Sequence, residues 1–352
     1  MTTPREHGGP VAAELQSLGL APGEVLDFSV NVNVYGPAPA MIEAIRAARV
    51  DRYPDPTARA AREALGGACG VDPERIVIGN GAADLLWTLA RVLVHPGQTV
   101  LVVEPAFSEL RAAAATAGAR VVEWRASPEN NFAVDLDEVA ARVRASEART
   151  LYLCAPTTPS GAAVPAADIA VLSQTLPGVS MILDEAFLSL SERYADAMVP
   201  LPAGVIRVRS LTKEHGIPGV RVGYAITTPA IAAAVEAMRP AWTTGAANQA
   251  AAVASCGLDR FVADSRERLL ADRRALVAGL RELGLSPLPS STIFCAVPIG
   301  DAATLRSALL ARHRILVRDC ASFGMPGYLR VAARPRADRE RLLSALREEL
   351  DR

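Results

Sequence analysis

The chain has a single lysine, Lys213, although lysine and arginine together number 37 among its 352 residues. Arginine stays protonated and forms no Schiff base, whereas a lysine can lose its proton and attack a carbonyl. A codon bias toward arginine accounts for the missing lysines but not for where the survivor stands. Cysteine is scarce too: Cys69, Cys154, Cys256, Cys295 and Cys320 are odd in number and far apart. That spacing argues against a disulfide framework or a metal site and fits buried thiols in a reducing, cytoplasmic compartment. Positive charge is not in surplus, with a formal net charge of −1 and a pI near 6.5, so no nucleic-acid partner is expected. No apolar stretch reaches membrane-spanning length, and the polar start Met1-Thr2-Thr3-Pro4-Arg5-Glu6 does not read as a signal peptide. Neither an internal repeat nor a low-complexity segment stands out beyond an alanine bias.

Half of the residues are hydrophobic, and their pattern is that of an enzyme-sized α/β globule. Short apolar runs predict strands over 75–78, 99–103, 120–123, 150–154, 180–183, 205–209 and 221–225. Helical patterns fill the gaps over 83–94, 107–117, 136–145 and 166–175. That alternation predicts a largely parallel sheet. After Trp242 the texture changes. A long helical region over 248–283 precedes strands near 292–297, 315–318 and 328–332 and a final helix from Ala337, which reads as a smaller α+β lobe.

The chemistry-bearing residues fall at strand ends, where α/β enzymes bind ligands. Gly79-Asn80-Gly81-Ala82-Ala83-Asp84 follows a strand and opens a helix, so its amides offer a phosphate cradle or merely a turn. Asp184, after Met181-Ile182-Leu183, either holds a ring nitrogen protonated or caps the next helix. Lys213 follows the run Val205-Ile206-Arg207-Val208 and is flanked by Ser210 and Arg221. A hydroxyl and a guanidinium beside an amine suit a phosphate-bearing aldehyde.

In their order along the chain these motifs resemble the class I/II aminotransferase superfamily, the fold-type I enzymes that use pyridoxal 5′-phosphate. The resemblance implies a large domain with a mostly parallel seven-stranded sheet and a small α+β C-terminal domain. It also implies an N-terminal arm and small-domain segment over 1–45, the cofactor domain over 46–245 and the small domain over 246–352. Lys213 resembles the Schiff-base lysine and Asp184 the partner of the pyridine nitrogen. The phosphate site is implied at Gly81, Ala82, Ala83, Ser210 and Arg221, and ring stacking at Phe107. Tyr53, in Arg52-Tyr53-Pro54, is similar to a tyrosine that reaches the neighbouring subunit's phosphate, implying a homodimer with shared active sites. Arg330 resembles the arginine that clamps a substrate carboxylate.

Within the superfamily the chain is most similar to threonine-phosphate decarboxylases, with histidinol-phosphate aminotransferases next. His7-Gly8-Gly9, the segment from Asp27 to Asn33, Asp184-Glu185-Ala186-Phe187, Ile217-Pro218-Gly219-Val220-Arg221 and Arg318-Asp319-Cys320 carry that likeness. It implies a small anionic, phosphorylated amino-acid substrate, with His7, Asn33 and Arg318 as further contacts. Decarboxylation, transamination, an oxidase or lyase outcome and a silent scaffold all remain open at this level.

Several residues depart from the family pattern. Thr158 stands where an asparagine donates to the cofactor's phenolic oxygen, and Phe187 where many relatives have a tyrosine. Ala82 replaces a common serine, Val34 a proline, and His215 lies two residues past the lysine. The phenolic oxygen is then expected to rely on Thr158, on water or on His215.

Overall fold

The computed structural model describes residues 8–352. Its strands, in chain order, are β1 (Leu26–Asp27), β2 (Ile76–Gly79), β3 (Thr99–Glu104), β4 (Arg120–Arg125), β5 (Thr150–Cys154), β6 (Ser180–Asp184), β7 (Val205–Ser210), β8 (Gly223–Ile226), β9 (Phe294–Pro298), β10 (Ile315–Leu316), β11 (Arg318–Asp319) and β12 (Tyr328–Ala332). β2 to β8 form one seven-stranded sheet in the order β2-β8-β7-β6-β5-β3-β4. All its pairings are parallel except those of β8, which runs against both β2 and β7.

Continuous apolar runs form the central strands because both faces of this sheet are covered. The pleat sends alternate side chains to opposite faces. Val100, Val102, Tyr152 and Cys154 thus enter one core with Leu85, Leu86 and Leu89 of the helix Gly81–Leu93. Leu101, Val103, Leu151 and Leu153 enter the other, under Val139 and Val143 of Leu136–Ser146 and Ile169 and Leu172 of Ala166–Thr175.

A second, antiparallel sheet has the order β11-β12-β9. Its core gathers Leu276, Leu280, Val297, Leu309, Val331 and Leu346 with Phe28 from the other end of the chain. β1 lies parallel to β10, which draws the segment around Phe28 against the C-terminal part.

Two expectations need correction. The helical region over 248–283 is two helices, Ala246–Ser255 and Asp259–Glu282, parted at Cys256-Gly257-Leu258. Glycine is a poor helix former and is where the axis breaks. The strand expected over 315–318 is also two, β10 and β11, because each pairs with a different partner.

Candidate active site

β2, β5, β6 and β7 all end at one edge of the large sheet, and the reversed β8 begins there. A cavity of about 410 Å³ opens at this edge, lined by Ala82, Ala83, Phe107, Asp184, Lys213 and Arg221, among others. It takes Arg330 and Phe323 from the C-terminal part and Asn31 from the N-terminal segment.

Lys213 sits in the short helix Leu211–Glu214, directly after β7. Its Nζ donates to Ser210 Oγ at 3.3 Å. Burial pulls the ammonium pKa down to about 8; Asp184 opposes the shift, while repulsion from Arg221 and Arg330 adds to it. A neutral amine is therefore accessible near physiological pH.

Asp184 ends β6. Its Oδ1 accepts from the Ala186 N–H at 3.0 Å and its Oδ2 from the Tyr152 hydroxyl at 2.9 Å. Burial raises this carboxyl, and those two donors and Lys213 pull it back. The bond to Ala186 closes the turn after β6 while the carboxylate still lines the cavity.

The helix Gly81–Leu93 starts without a side-chain cap. Asn80, which would supply one, spends its amide on the Thr243 carbonyl and accepts from Asn248 Nδ2, each at 2.8 Å. The first-turn amides are thus left for another acceptor. Gly81 has a φ of +82°, and a Cβ there would lie 2.7 Å from Arg221 Nη2. Only glycine lets the guanidinium rest against the helix start. Helix dipole and arginine together make an anion cradle.

Arg330, on β12, is buried and also faces the cavity. Its Nη2 donates to the Ser29 carbonyl at 2.7 Å and its Nη1 to Thr158 Oγ1 at 3.2 Å. With its carbonyl oxygen turned toward the guanidinium, Asn31 accepts from Nε and Nη1, each at 3.2 Å. Among the described residues no carboxylate forms an ion pair with Arg330. Burial lowers its pKa to about 10, so at neutral pH the cavity wall carries a cation that waits for an anion.

Other candidates take different places. Ser210 stands behind the wall and shares a 2.7 Å hydrogen bond with Thr212, and it is Thr212 that lines the cavity. Asn33 does not line it either: its Nδ2 donates to the Glu214 carbonyl at 2.8 Å and its N–H to the Lys213 carbonyl at 2.8 Å. It holds the lysine loop, and it is Asn31, two residues earlier, that lines the cavity. Arg318 is set back from the cavity, with Nη2 donating to Ser322 Oγ at 2.6 Å, because Phe323 stands in front of it. His215 is buried away from the cavity, with Nε2 3.4 Å from Glu214 Oε1, so it is not the substitute donor expected beside the lysine. Tyr53 is 77% exposed and stacks on Trp242 with ring centroids 4.6 Å apart, outside the cavity of its own chain. His7 lies outside the described residues.

Residues 23–346 match the family model of aminotransferase class I and II. The chain belongs to that family. It is a pyridoxal phosphate enzyme. A histidinol-phosphate aminotransferase from Moorella thermoacetica is 32% identical over 355 residues, covering 99% of this chain and 90% of that protein. A second, from Rhodospirillum centenum, is 35% identical over 340 residues, covering 93% and 92%. Among solved structures, the histidinol-phosphate aminotransferase of Sinorhizobium meliloti in complex with pyridoxal 5′-phosphate superposes with a TM-score of 0.85 at 29% identity, covering 96% of this chain and 94% of that one. L-Threonine-O-3-phosphate decarboxylase from Porphyromonas gingivalis has a TM-score of 0.82 at 23% identity, covering 93% and 100%, a likeness of fold. Among the described residues no helix is long and apolar enough to cross a membrane.

The residues present fit the family's cofactor: the buried amine of Lys213, the carboxylate of Asp184 and an uncapped helix start against a guanidinium that a Cβ would displace. Thr158 adds a distinctive donor. Because its oxygen accepts from Arg330, its own proton is left to point elsewhere, and Phe187 supplies no second donor. Thr158→Asn should therefore lower the spectroscopic pKa of the bound cofactor. A hydrogen bond to a charged group is worth about 1.5–3 kcal/mol, roughly one to two pKa units. Absorbance titrations of both proteins check this, and superimposed curves would mean that Thr158 already serves as well as asparagine.

Proposed function

We propose that the protein is an aminotransferase of the histidinol-phosphate type, acting on a small phosphorylated amine with a carboxylate-bearing amino-group partner. The observation that carries this reading is Arg330, a buried guanidinium that forms no ion pair among the described residues and faces the cavity that holds Lys213. A planar fork of N–H donors suits a substrate carboxylate. The sequence relatives favour transamination over the decarboxylation that the motif likeness suggested first.

When bound, pyridoxal 5′-phosphate supplies an electron sink for the carbanion formed at the amine-bearing carbon. The chain's residues do the rest. Arg221 and the amides of Ala82 and Ala83 hold a phosphate, while Asp184 offers a carboxylate to a ring N–H. Lys213 Nζ takes a proton at the reacting carbon and returns it, with a pKa of about 8 suited to both directions. Arg330 fixes the substrate carboxylate, so orientation is set before any proton moves. Incubation with phosphorylated amines and amino acids, reading keto-acid formation and carbon dioxide release in parallel, tests the reaction class. Carbon dioxide without amino transfer would restore the decarboxylase reading.

The active unit in this reading is a homodimer in which Tyr53 reaches the partner's cofactor. An aromatic pair, Tyr53 on Trp242, left largely in solvent supports it. Mixing Tyr53→Ala with Lys213→Ala subunits should restore part of the activity, since one site in each hybrid keeps both residues. Hybrids that form and stay inactive would rule out the shared site.

A further inference from the structure

Tyr152 is fully buried on β5, and its hydroxyl has two partners. Cys154 Sγ donates to it at 3.4 Å, and it donates in turn to Asp184 Oδ2 at 2.9 Å. The pleat explains this alignment: Tyr152 and Cys154 are two residues apart on one strand and share a face, and β6 lies next to β5 with Asp184 opposite Cys154. A thiol that donates to the phenolic oxygen leaves the phenolic proton only one acceptor, the carboxylate. Burial raises the thiol and the phenol well above their usual ranges, so both stay protonated and the direction of donation is fixed. The Ala186 N–H holds the other carboxylate oxygen at 3.0 Å. With one donor on each oxygen, the plane of the carboxylate is set.

We infer that Tyr152 is a positioning residue, whose hydroxyl orients Asp184 toward the cofactor's ring nitrogen and keeps that carboxylate ionised. The inference rests on the reading of Asp184 as the ring nitrogen's partner. In a buried site a carboxylate without donors shifts to its neutral form and can no longer pair with a protonated ring. Cys154, which also lines the cavity, acts on the carboxylate only through the tyrosine it orients.

The test compares two cofactors on resolved apoenzyme: pyridoxal 5′-phosphate and its 1-deaza analogue, in which carbon replaces the ring nitrogen. Tyr152→Phe should weaken pyridoxal 5′-phosphate binding about tenfold, the lower end for losing a hydrogen bond to a charged group. Affinity for the analogue should stay within about twofold, because no ring N–H is there to be recognised. Equal losses for both would show a packing role and overturn the inference, and so would no loss for either. Asp184→Asn serves as the reference. If it fails to discriminate between the two cofactors, the reading of Asp184 itself falls. If it discriminates and Tyr152→Phe does not, the role of Tyr152 alone is refuted. Should Tyr152→Phe not fold, Cys154→Ala carries the same comparison, with about a threefold loss expected for pyridoxal 5′-phosphate only.

Discussion

Lys213→Arg should fold, bind cofactor weakly and turn over at background, a loss of about 10⁴-fold or more given the usual worth of a proton-transfer group plus the lost covalent link. The substitution keeps the positive charge and removes only the ability to become a neutral nucleophile. Borohydride reduction of the loaded wild type, followed by peptide mapping, should place the phosphopyridoxyl group on Lys213. The chain has no other lysine, so a label found only at the N-terminal amine would refute the assignment. The pH dependence comes from the cation's depressed pKa. Below about 8 the amine holds its proton, so cofactor uptake by apoenzyme should rise through that range and level off above it. At pH 7 roughly a tenth of the chains carry a neutral amine. An uptake midpoint near 10.5, the value of an unperturbed lysine, would contradict the burial argument.

Arg330→Gln should cost about 10²- to 10³-fold in kcat/KM for carboxylate-bearing substrates, within the 2–5 kcal/mol typical of a buried charge pair that loses one member. The fold should survive, since the cation removed is one whose burial is itself costly and, among the described residues, no ion pair is broken. Melting temperatures of the apoenzymes separate the two effects. A variant that melts early and keeps its kcat/KM would make Arg330 a structural residue. Arg330→Lys should recover little, because an ammonium cannot bond to Ser29, Thr158 and a substrate carboxylate in one plane.

The strands of the large sheet were legible because runs such as Val100 to Val103 and Leu151 to Cys154 must be apolar on both faces. Asp184 stood out for a related reason, ending such a run, and Lys213 and Arg221 as charges in the turn between two of them. The hidden residues work through tertiary contacts that leave no periodic trace. Asn31 and Asn33 look alike in Ser29-Val30-Asn31-Val32-Asn33, and only the packing tells that Asn33 holds the Lys213 loop while Asn31 meets Arg330 at the cavity wall. Tyr152 reads as one more apolar strand residue until Asp184 is seen beside it. His215 was misleading because two residues along a helical turn point to a different side, and here that side is the interior. The break at Gly257 was visible as a glycine, but one glycine in a helical pattern is a weak stop.

The reversed strand β8 has a mechanical consequence. β7 and β8 are antiparallel neighbours, with Ser210 opposite Gly223, so residues 211–222 form one closed loop that carries both Lys213 and Arg221. The spacing between the amine and the proposed phosphate grip is therefore fixed by a short covalent circuit anchored on two hydrogen-bonded strands. Arg330 stands on a different sheet, and no such circuit ties it to the lysine. A shift of the small sheet against the large one would change how far Arg330 reaches into the cavity and leave the spacing of Lys213 and Arg221 unstretched.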